Sequence, residues 1–257
     1  MFSKKLKGLS GLLFTLLILA IVVYVSTGPQ RPAADSSSAS WLQRGPYSVG
    51  TTEFNFVDDS RPTSENRGFA GASNRTLNTW IWYPQDLDEA LPLIIHSHGI
   101  MSRGNELANV AERLASHGYV VAAADYPLTN GQTPGGANAS DVTNQPADVS
   151  FLIDSVLTLS FDEKPFIGSI DPNRIGLSGY SLGGLTTVLA TYHPRWRDPR
   201  VNASLSIAGP INVFTSRFYK TSDVPFLGIN GTADALIDYD TNGLIIPERI
   251  TNASLVT

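Results

Sequence analysis

Residues 175–192 read IGLSGYSLGGLTTVLATY, and this stretch decides the fold. Its apolar start predicts a buried strand, and its second half, Leu182 to Tyr192, predicts a helix. Between them, Gly179 to Gly183 form a G-x-S-x-G pattern. In a strand–turn–helix context, this pattern makes a sharp turn that lifts the serine hydroxyl above the sheet edge, over the helix N-terminus. We therefore predict that Ser181 is a nucleophile; the alternative is a plain strand–helix turn.

The segments on both sides of this stretch alternate between strands and helices from about residue 47 onward. Apolar or β-branched runs predict strands over 79–83, 91–97, 119–124, 174–177, 203–207 and 224–229. Helical spacing predicts helices from an Asn105 cap to Gly118, over 147–159 and 182–192, and near 242–250, with a Gly/Pro/Asn-rich loop over 128–142. This alternation predicts an α/β fold with a mostly parallel sheet and helices on both faces.

The composition of the chain excludes several classes of protein. Its 257 residues include no cysteine, which removes disulfide scaffolds, cysteine-ligated metals and cysteine nucleophiles together. A formal net charge of −5 makes the chain a poor partner for nucleic acid, which needs clustered Lys and Arg. No pattern requires a metal or an organic cofactor, and we expect none.

The N-terminal part of the chain is predicted to be separate from the folded domain. Three lysines in the first seven residues precede an apolar run from Leu9 to Val25. This pattern predicts an uncleaved signal anchor or a cleaved signal peptide over residues 1–28, with a buried core helix as the alternative. Residues 29–44 are predicted to be a flexible linker and residues 45–257 the folded domain. The domain is therefore expected on the periplasmic or outer side of a membrane, or secreted.

A second motif follows the predicted strand that ends at Ser97. A His-Gly pair after a buried strand commonly begins the loop whose backbone N–H faces an oxyanion, and the second donor is the amide after the nucleophile. We assign the N–H groups of Ile100 and Leu182 to these roles. His98 and Gly99 are then the supporting loop, and the alternative is a buried histidine with no such role.

The acid of a catalytic triad would follow the nucleophile in the chain. Asp234 lies in the loop after the predicted strand 224–229, where a carboxylate can orient a base and stabilise its cation. Asp238 and Asp240 are close competitors, and Asp125 after an earlier strand is another.

The sequence has no histidine after Asp234, where the catalytic base of this pattern is expected. All four histidines, His96, His98, His117 and His193, precede Asp234, and only His98 is near enough to be a poor substitute. Residues 253–257 read as the start of one more strand, and in this architecture the histidine follows that strand. We therefore expect a domain that is C-terminally incomplete, stopping before the last strand and its histidine loop.

These motifs resemble the α/β-hydrolase superfamily, and most of all its branch of platelet-activating-factor acetylhydrolases and dienelactone-hydrolase-like serine esterases. The similarity spans about residues 47–257 and rests on residues 59–62, 82–84, 97–99, 145–149, 171–175, 179–184 and 231–234. True dienelactone hydrolases carry a cysteine where this chain has Ser181. The resemblance implies a serine carboxylic ester hydrolase that forms an acyl-enzyme and acts on small-molecule or lipid esters. Short or medium acyl chains are expected, including phospholipid-derived ones.

Other functions fit parts of the same pattern. A chain without its histidine base can be inactive, so the alternative from another class is a catalytically dead hydrolase domain kept as a binding module. Among enzymes, the alternatives are a cutinase-like polyester hydrolase and a serine peptidase. The sequence indicates no oligomeric state.

Overall fold

The computed structural model describes residues 14–23, 32–36, 39, 42–159 and 168–257. The chain divides into two compact units, Met1–Arg44 and Gly45–Thr257. Residues 14–23 of the first unit form a helix with exposed apolar side chains. None of the helices in the described ranges combines the length and the apolar character needed to cross a membrane. Most of the predicted signal segment and part of the predicted linker lie outside the described residues.

The second unit is built on one eight-stranded sheet in the order β1-β2-β4-β3-β5-β6-β7-β8. The strands are β1 (Val49–Asp58), β2 (Arg75–Pro84), β3 (Ala90–Ser97), β4 (Val120–Asp125), β5 (Ser169–Tyr180), β6 (Val201–Ile207), β7 (Phe226–Ile229) and β8 (Ala253–Val256). Within this sheet, β2 pairs antiparallel with β1 and with β4, and the other five strand pairs are parallel. The prediction of a mostly parallel sheet is confirmed.

Helices cover both faces of this sheet. They are α1 (Ala108–Ser116), α2 (Gln145–Leu157), α3 (Leu182–Tyr192), α4 (Ser216–Tyr219), α5 (Tyr239–Asn242) and α6 (Ile246–Arg249), with a 3-10 turn over Ala139–Thr143. α1 packs against Trp80 and Trp82 of β2. The residue between them, Ile81, points to the opposite face and joins the cluster that includes Leu152 of α2. The predicted helices on both faces are thus confirmed.

The predicted cap at Asn105 is wrong. α1 begins at Ala108, and its N-cap is Leu107, which makes no side-chain cap hydrogen bond. Asn105 instead accepts the Ala108 N–H through its backbone carbonyl. The Glu106 side chain reaches back to the Gly99 N–H at 2.9 Å, and this tertiary contact holds residues 105–107 outside the helix.

Other element boundaries differ from the prediction by a few residues. α2 begins at Gln145 because Pro146 is tolerated in a first helical turn, where its missing N–H costs nothing. The single short helix predicted near residues 242–250 is two short helices, α5 and α6. β5 and β7 begin at Ser169 and Phe226. β1 was not predicted, and it pairs along its whole length with β2.

The strand predicted to begin at residues 253–257 is confirmed: Ala253–Val256 form β8 and pair in parallel with β7. The expectation that the sheet lacks its last strand is corrected to this extent. The carboxyl ends of β3, β5, β6 and β7 therefore lie at one edge of the sheet. The loops that follow them, which carry Ile100, Ser181 and Asp234, emerge at that edge.

Candidate active site

Ser181 occupies a strained turn between β5 and α3. Its backbone has φ +52° and ψ −115°, a conformation that non-glycine residues rarely adopt and that costs about 1–3 kcal/mol. The Ser181 N–H donates to the Ile207 carbonyl at 2.8 Å, and the Ser181 carbonyl accepts the Gly184 N–H at 2.9 Å. These backbone hydrogen bonds therefore hold Ser181 in a backbone conformation that a serine rarely adopts.

Two glycines make this turn possible. A Cβ built on Gly179 would lie 2.0 Å from the Gly183 carbonyl oxygen, and one on Gly183 would lie 1.9 Å from the Ser97 carbonyl oxygen. No side chain fits at either position. The G-x-S-x-G pattern is thus a steric requirement of the turn, and it presses α3 against the end of β3.

The loop after β3 lies beside the serine. A Cβ on Gly99 would be 3.5 Å from Ser181 Cβ. Met101, with φ +63°, donates its N–H to the Thr129 carbonyl at 2.8 Å, which turns the chain sharply after Ile100. Within residues 42–159 and 168–257, neither the Ile100 N–H nor the Leu182 N–H has a hydrogen-bond acceptor. Both amides are therefore available to a ligand oxygen.

His98 fastens this loop to the loop after β4. The Tyr126 N–H donates to His98 Nε2 at 3.1 Å, so that nitrogen carries no proton. The proton is then on Nδ1, which donates to the Gly99 carbonyl at 2.7 Å. Burial lowers the pKa of this fully buried ring, which stays neutral. Both ring nitrogens are occupied, so His98 cannot accept a proton from Ser181 in this arrangement.

Glu106 also holds the loop, and sequence reasoning missed it. Its Oε1 accepts the Gly99 N–H at 2.9 Å and lies 3.3 Å from His96 Nε2. Burial opposes the charge of Glu106, but hydrogen bonds from His96, Ser102 and Gly99 outweigh it, and the pKa of the carboxyl is lowered. The only sequence signal was an acidic residue seven positions after a glycine, which is too common to single out.

Asp234 lies in the loop after β7, at the same sheet edge as Ser181 but two strands away. Its Oδ1 accepts the N–H groups of Leu236 at 2.8 Å and Ile237 at 3.0 Å. These two bonds lower the pKa of the carboxyl, so Asp234 is ionised at neutral pH. The turn fixes one oxygen and leaves the other to act on a neighbouring group.

Two of the three rival carboxylates have other partners. Asp238 caps α5 by accepting the Thr241 N–H at 3.0 Å. Asp125 ends β4 and accepts from Arg103 at 2.7 Å and from the Gly104 N–H at 2.9 Å. Asp240 is exposed within the first turn of α5.

The other three histidines are occupied or distant. His96 Nδ1 lies 2.9 Å from Ser178 Oγ, on the face of the sheet that α1 covers. His193 follows the last residue of α3, at the opposite end of the helix from Ser181, and stacks on Trp196 at 3.8 Å. His117 is exposed after the end of α1.

No hydrogen bond joins the Ser181 hydroxyl to any of the four histidine rings, all of which lie in the described part of the chain. In that part, no cluster of three or more His, Cys, Asp or Glu could hold a metal ion either.

A serine held at a strained strand–helix turn, over the carboxyl edge of a mostly parallel sheet, defines an α/β-hydrolase. The chain is similar to a solved structure of a ferulic acid esterase from Streptomyces cinnamoneus, with a TM-score of 0.62 and 21% sequence identity. That match covers 82% of this chain and 74% of the esterase, and at this identity it shows the fold alone. The family model described as "PETase: PET hydrolase-like" matches residues 26–255, and the chain belongs to this family. No curated protein matches this chain.

Family membership confirms the resemblance to the α/β-hydrolase superfamily and its esterase branch. The chain is by class a carboxylic ester hydrolase.

Proposed function

We propose that the chain hydrolyses carboxylic esters through an acyl-enzyme at Ser181. The observation that carries the proposal is the strained Ser181 turn, with the unoccupied amides of Ile100 and Leu182 on the two segments that meet there. In this mechanism Ser181 Oγ attacks the ester carbonyl carbon, and its proton passes to a base. The two amides bind the oxyanion, the alcohol leaves with a proton, and water then releases the acid.

Asp234 is the proposed acid of the site. It is ionised, it lies at the sheet edge that carries Ser181, and its rivals Asp125 and Asp238 are engaged in a salt bridge and a helix cap. Its role is to orient the base and to stabilise its cation. His98 cannot serve as this base while its two ring nitrogens are bonded to the Gly99 carbonyl and the Tyr126 N–H.

A second candidate is an inactive hydrolase domain that binds esters or other ligands without turnover. It is favoured by the observation that no histidine ring is hydrogen-bonded to the Ser181 hydroxyl within the described residues. A fluorophosphonate probe separates the two candidates, because it reacts rapidly only with an activated serine. Rapid labelling of Ser181 would eliminate the binding module.

The surroundings of the site favour an apolar ester. Five large apolar side chains are exposed on the loops and strand ends at this sheet edge: Ile100 (40%), Met101 (72%), Tyr180 (43%), Val213 (56%) and Leu236 (90%). A contiguous apolar patch marks a surface that binds an apolar partner, and we propose that these side chains form one. We propose esters of short or medium acyl chains, with the polyester PET, named in the family description, as the first candidate. Phospholipid-derived esters are the second.

The test is p-nitrophenyl butyrate hydrolysis by the full chain and by Ser181→Ala. We expect the variant to lose at least about 10³-fold in kcat. Ser178→Ala is the matched control, because Ser178 lies on β5, three residues before Ser181, and its hydroxyl contacts His96. Full activity in Ser181→Ala would refute the proposal. A panel of PET film, a short-chain phospholipid, a triglyceride and a peptide anilide then ranks the substrate classes.

We also propose that the N-terminal segment brings the chain to a membrane and leaves the domain on its periplasmic or outer side. The lysines before the apolar run support this orientation, since basic residues stay on the cytoplasmic side. Cell fractionation with protease protection tests it. Recovery of the domain in the cytoplasm would contradict it.

A further inference from the structure

The two proposed oxyanion donors come from different parts of the chain. Ile100 belongs to the loop after β3, and Leu182 begins α3. Because two amides must point at one oxygen to within a fraction of an ångström, something must hold the two segments in register. The Gly183 contact fixes how closely they approach. A buried row of polar side chains, Thr129, Gln145 and Thr186, joins the same two segments from behind.

The first half of this row reaches the Ile100 loop. Gln145 Nε2 donates to Thr129 Oγ1 at 2.7 Å, and both residues are completely buried. The Thr129 carbonyl accepts the N–H of Met101, the residue directly after Ile100, at 2.8 Å. Holding Thr129 therefore holds the peptide that follows Ile100.

The second half reaches α3. The Thr186 hydroxyl donates to Gln145 Oε1, and Thr186 is also completely buried. Thr186 Oγ1 lies 3.3 Å from the carbonyl of Leu182, one turn earlier in the same helix. The position of Thr186 thus fixes the turn that presents the Leu182 N–H.

The position of Gln145 is itself fixed by charge. Gln145 is the first residue of α2, between Asp141 and Asp148. The buried Arg75 guanidinium binds both carboxylates, with shortest distances of 2.8 Å to Asp141 and 2.6 Å to Asp148. The start of α2 is therefore clamped to β2.

A primary amide is the group that this position needs. It donates to Thr129 and accepts from Thr186 at the same time, which neither an apolar side chain nor a carboxylate can do. Burial of an amide costs free energy unless both its NH2 group and its carbonyl oxygen are hydrogen-bonded. Both groups of Gln145 are hydrogen-bonded, each to a different segment, which suits a residue that connects the two segments.

We propose that Gln145 is a positioning residue that holds the Ile100 and Leu182 amides in register for the oxyanion. The inference rests on the proposed function, because it requires those two amides to be the donors. It predicts that loss of the Gln145 amide lowers kcat and leaves KM unchanged, since the oxyanion exists only in the transition state.

The test is Gln145→Met in the full chain, which keeps the length of the side chain and removes both hydrogen bonds. We expect kcat for p-nitrophenyl butyrate to fall about 10- to 100-fold, with KM changed less than about 2-fold. Thr186→Val should likewise lower kcat and leave KM nearly unchanged. Thr186→Ser keeps the hydroxyl, so its kcat should be close to that of the parent chain. The matched control is Thr191→Val, which removes a buried hydroxyl of the same helix that bonds only to the Thr187 carbonyl within the described residues.

A second readout does not depend on turnover. The ¹H–¹⁵N resonances of the Ile100 and Leu182 amides in the full chain should both move in Gln145→Met and in Thr186→Val, and neither should move in Thr191→Val. Unchanged amide resonances and an unchanged kcat in Gln145→Met would overturn the inference. So would a loss of kcat no greater than that of Thr191→Val at an equal loss of Tm.

The failure of the inference differs from the failure of the proposed function. Activity that survives Ser181→Ala refutes the proposed function. Activity that is lost in Ser181→Ala but kept in Gln145→Met and Thr186→Val refutes only the inference. If Gln145→Met does not fold, the comparison of Thr186→Val with Thr186→Ser decides the question alone.

Discussion

The Ser97 carbonyl oxygen lies so close to Gly183 that a Cβ on this glycine would be 1.9 Å from it. The contact joins the end of β3 to the first turn of α3. These are the segments that carry the Ile100 and Leu182 amides. The distance between the two amides is therefore set by backbone packed directly on backbone, and we expect the site to tolerate little change there.

Gly183→Ala should disrupt both the fold and the site. Relief of the clash requires α3 to move away from β3, and overpacking of this kind costs about 1–3 kcal/mol of the free energy of unfolding. Urea unfolding and ester hydrolysis measure the two effects. The control is Gly176→Ala on β5, where the new Cβ would have no neighbour closer than 3.7 Å and the expected change is within about 0.5 kcal/mol. Equal stability of the two variants would contradict the steric argument.

Ser181→Gly should separate stability from activity. Glycine adopts φ +52° without strain, so this variant is expected to be about 1 kcal/mol more stable than Ser181→Ala, which keeps the strained backbone. Both variants should be inactive. Thermal unfolding of the pair at one pH gives the difference. A less stable glycine variant would mean that the turn stores no strain.

The local part of the site could be predicted from the sequence, because the elbow is a contiguous pattern. The start of α3 at Leu182 and its end at Tyr192 follow from that pattern and from the apolar run behind it. The connections between segments could not be predicted. Gln145 is 16 residues from Thr129 and 41 residues from Thr186, so nothing in their spacing indicates that they meet.

A tertiary contact and the position of a strand at the sheet edge explain the errors in the fold. Asn105 has the right chemistry for a helix cap, but the contact of Glu106 with Gly99 outweighs that local preference. β1 was missed because it is an edge strand whose side chains alternate between exposed and partly buried positions, without the continuous apolar run that marks the central strands.

Asp234→Asn should lower kcat about 10²- to 10⁴-fold if Asp234 is the acid, because an amide cannot stabilise a cationic base. Asp238→Asn and Asp240→Asn are the matched controls in the same segment and should keep activity within about 2-fold. Since two backbone N–H groups lower the pKa of Asp234, the carboxyl stays ionised below its ordinary range, and an acid limb of the pH profile near pH 6 should not come from it. A larger loss in Asp238→Asn would reassign the acid.

His98 should make the folded state less stable at mildly acidic pH. Burial lowers its pKa, so below about pH 6.5 the unfolded chain binds a proton that the folded chain does not. The contribution of His98 to the free energy of unfolding should therefore fall as the pH is lowered from about 7.5 to 5.5. Burial raises the pKa of the Asp148 carboxyl, so this group contributes with the opposite sign, in the parent and in a His98 variant alike.

His98→Gln should flatten this dependence, because the amide does not titrate. The measurement is urea unfolding at several pH values across that window. His117→Gln is the control, since it makes the same substitution at an exposed histidine. Burial also lowers the pKa of His193. His193 therefore adds to the pH dependence of the free energy of unfolding with the same sign, and both variants keep this contribution. An equal slope in parent and His98→Gln would contradict the prediction.

Arg75→Met should be the most destabilising of these substitutions. Arg75 is 1% exposed and is the partner of two carboxylates, Asp141 and Asp148, that are also buried. Burial opposes its charge, but the two carboxylates outweigh burial and raise the pKa of Arg75, so the charge is kept in the folded state. Removal of one member of a buried ion pair typically costs about 3–5 kcal/mol. In this variant Asp141 loses its arginine, whereas Asp148 keeps its ion pair with Arg61.

The matched control is Arg174→Ala. The Arg174 pair with Asp171, at 2.7 Å, lies at the surface, with the arginine side chain 53% exposed, and should contribute less than about 1 kcal/mol. Urea unfolding of both variants gives the comparison. Because the clamp also fixes the start of α2, we expect Arg75→Met to lower kcat under conditions where it remains folded, and Arg174→Ala to leave kcat unchanged. Equal losses of stability in the two variants would show that the buried charges are not held by Arg75.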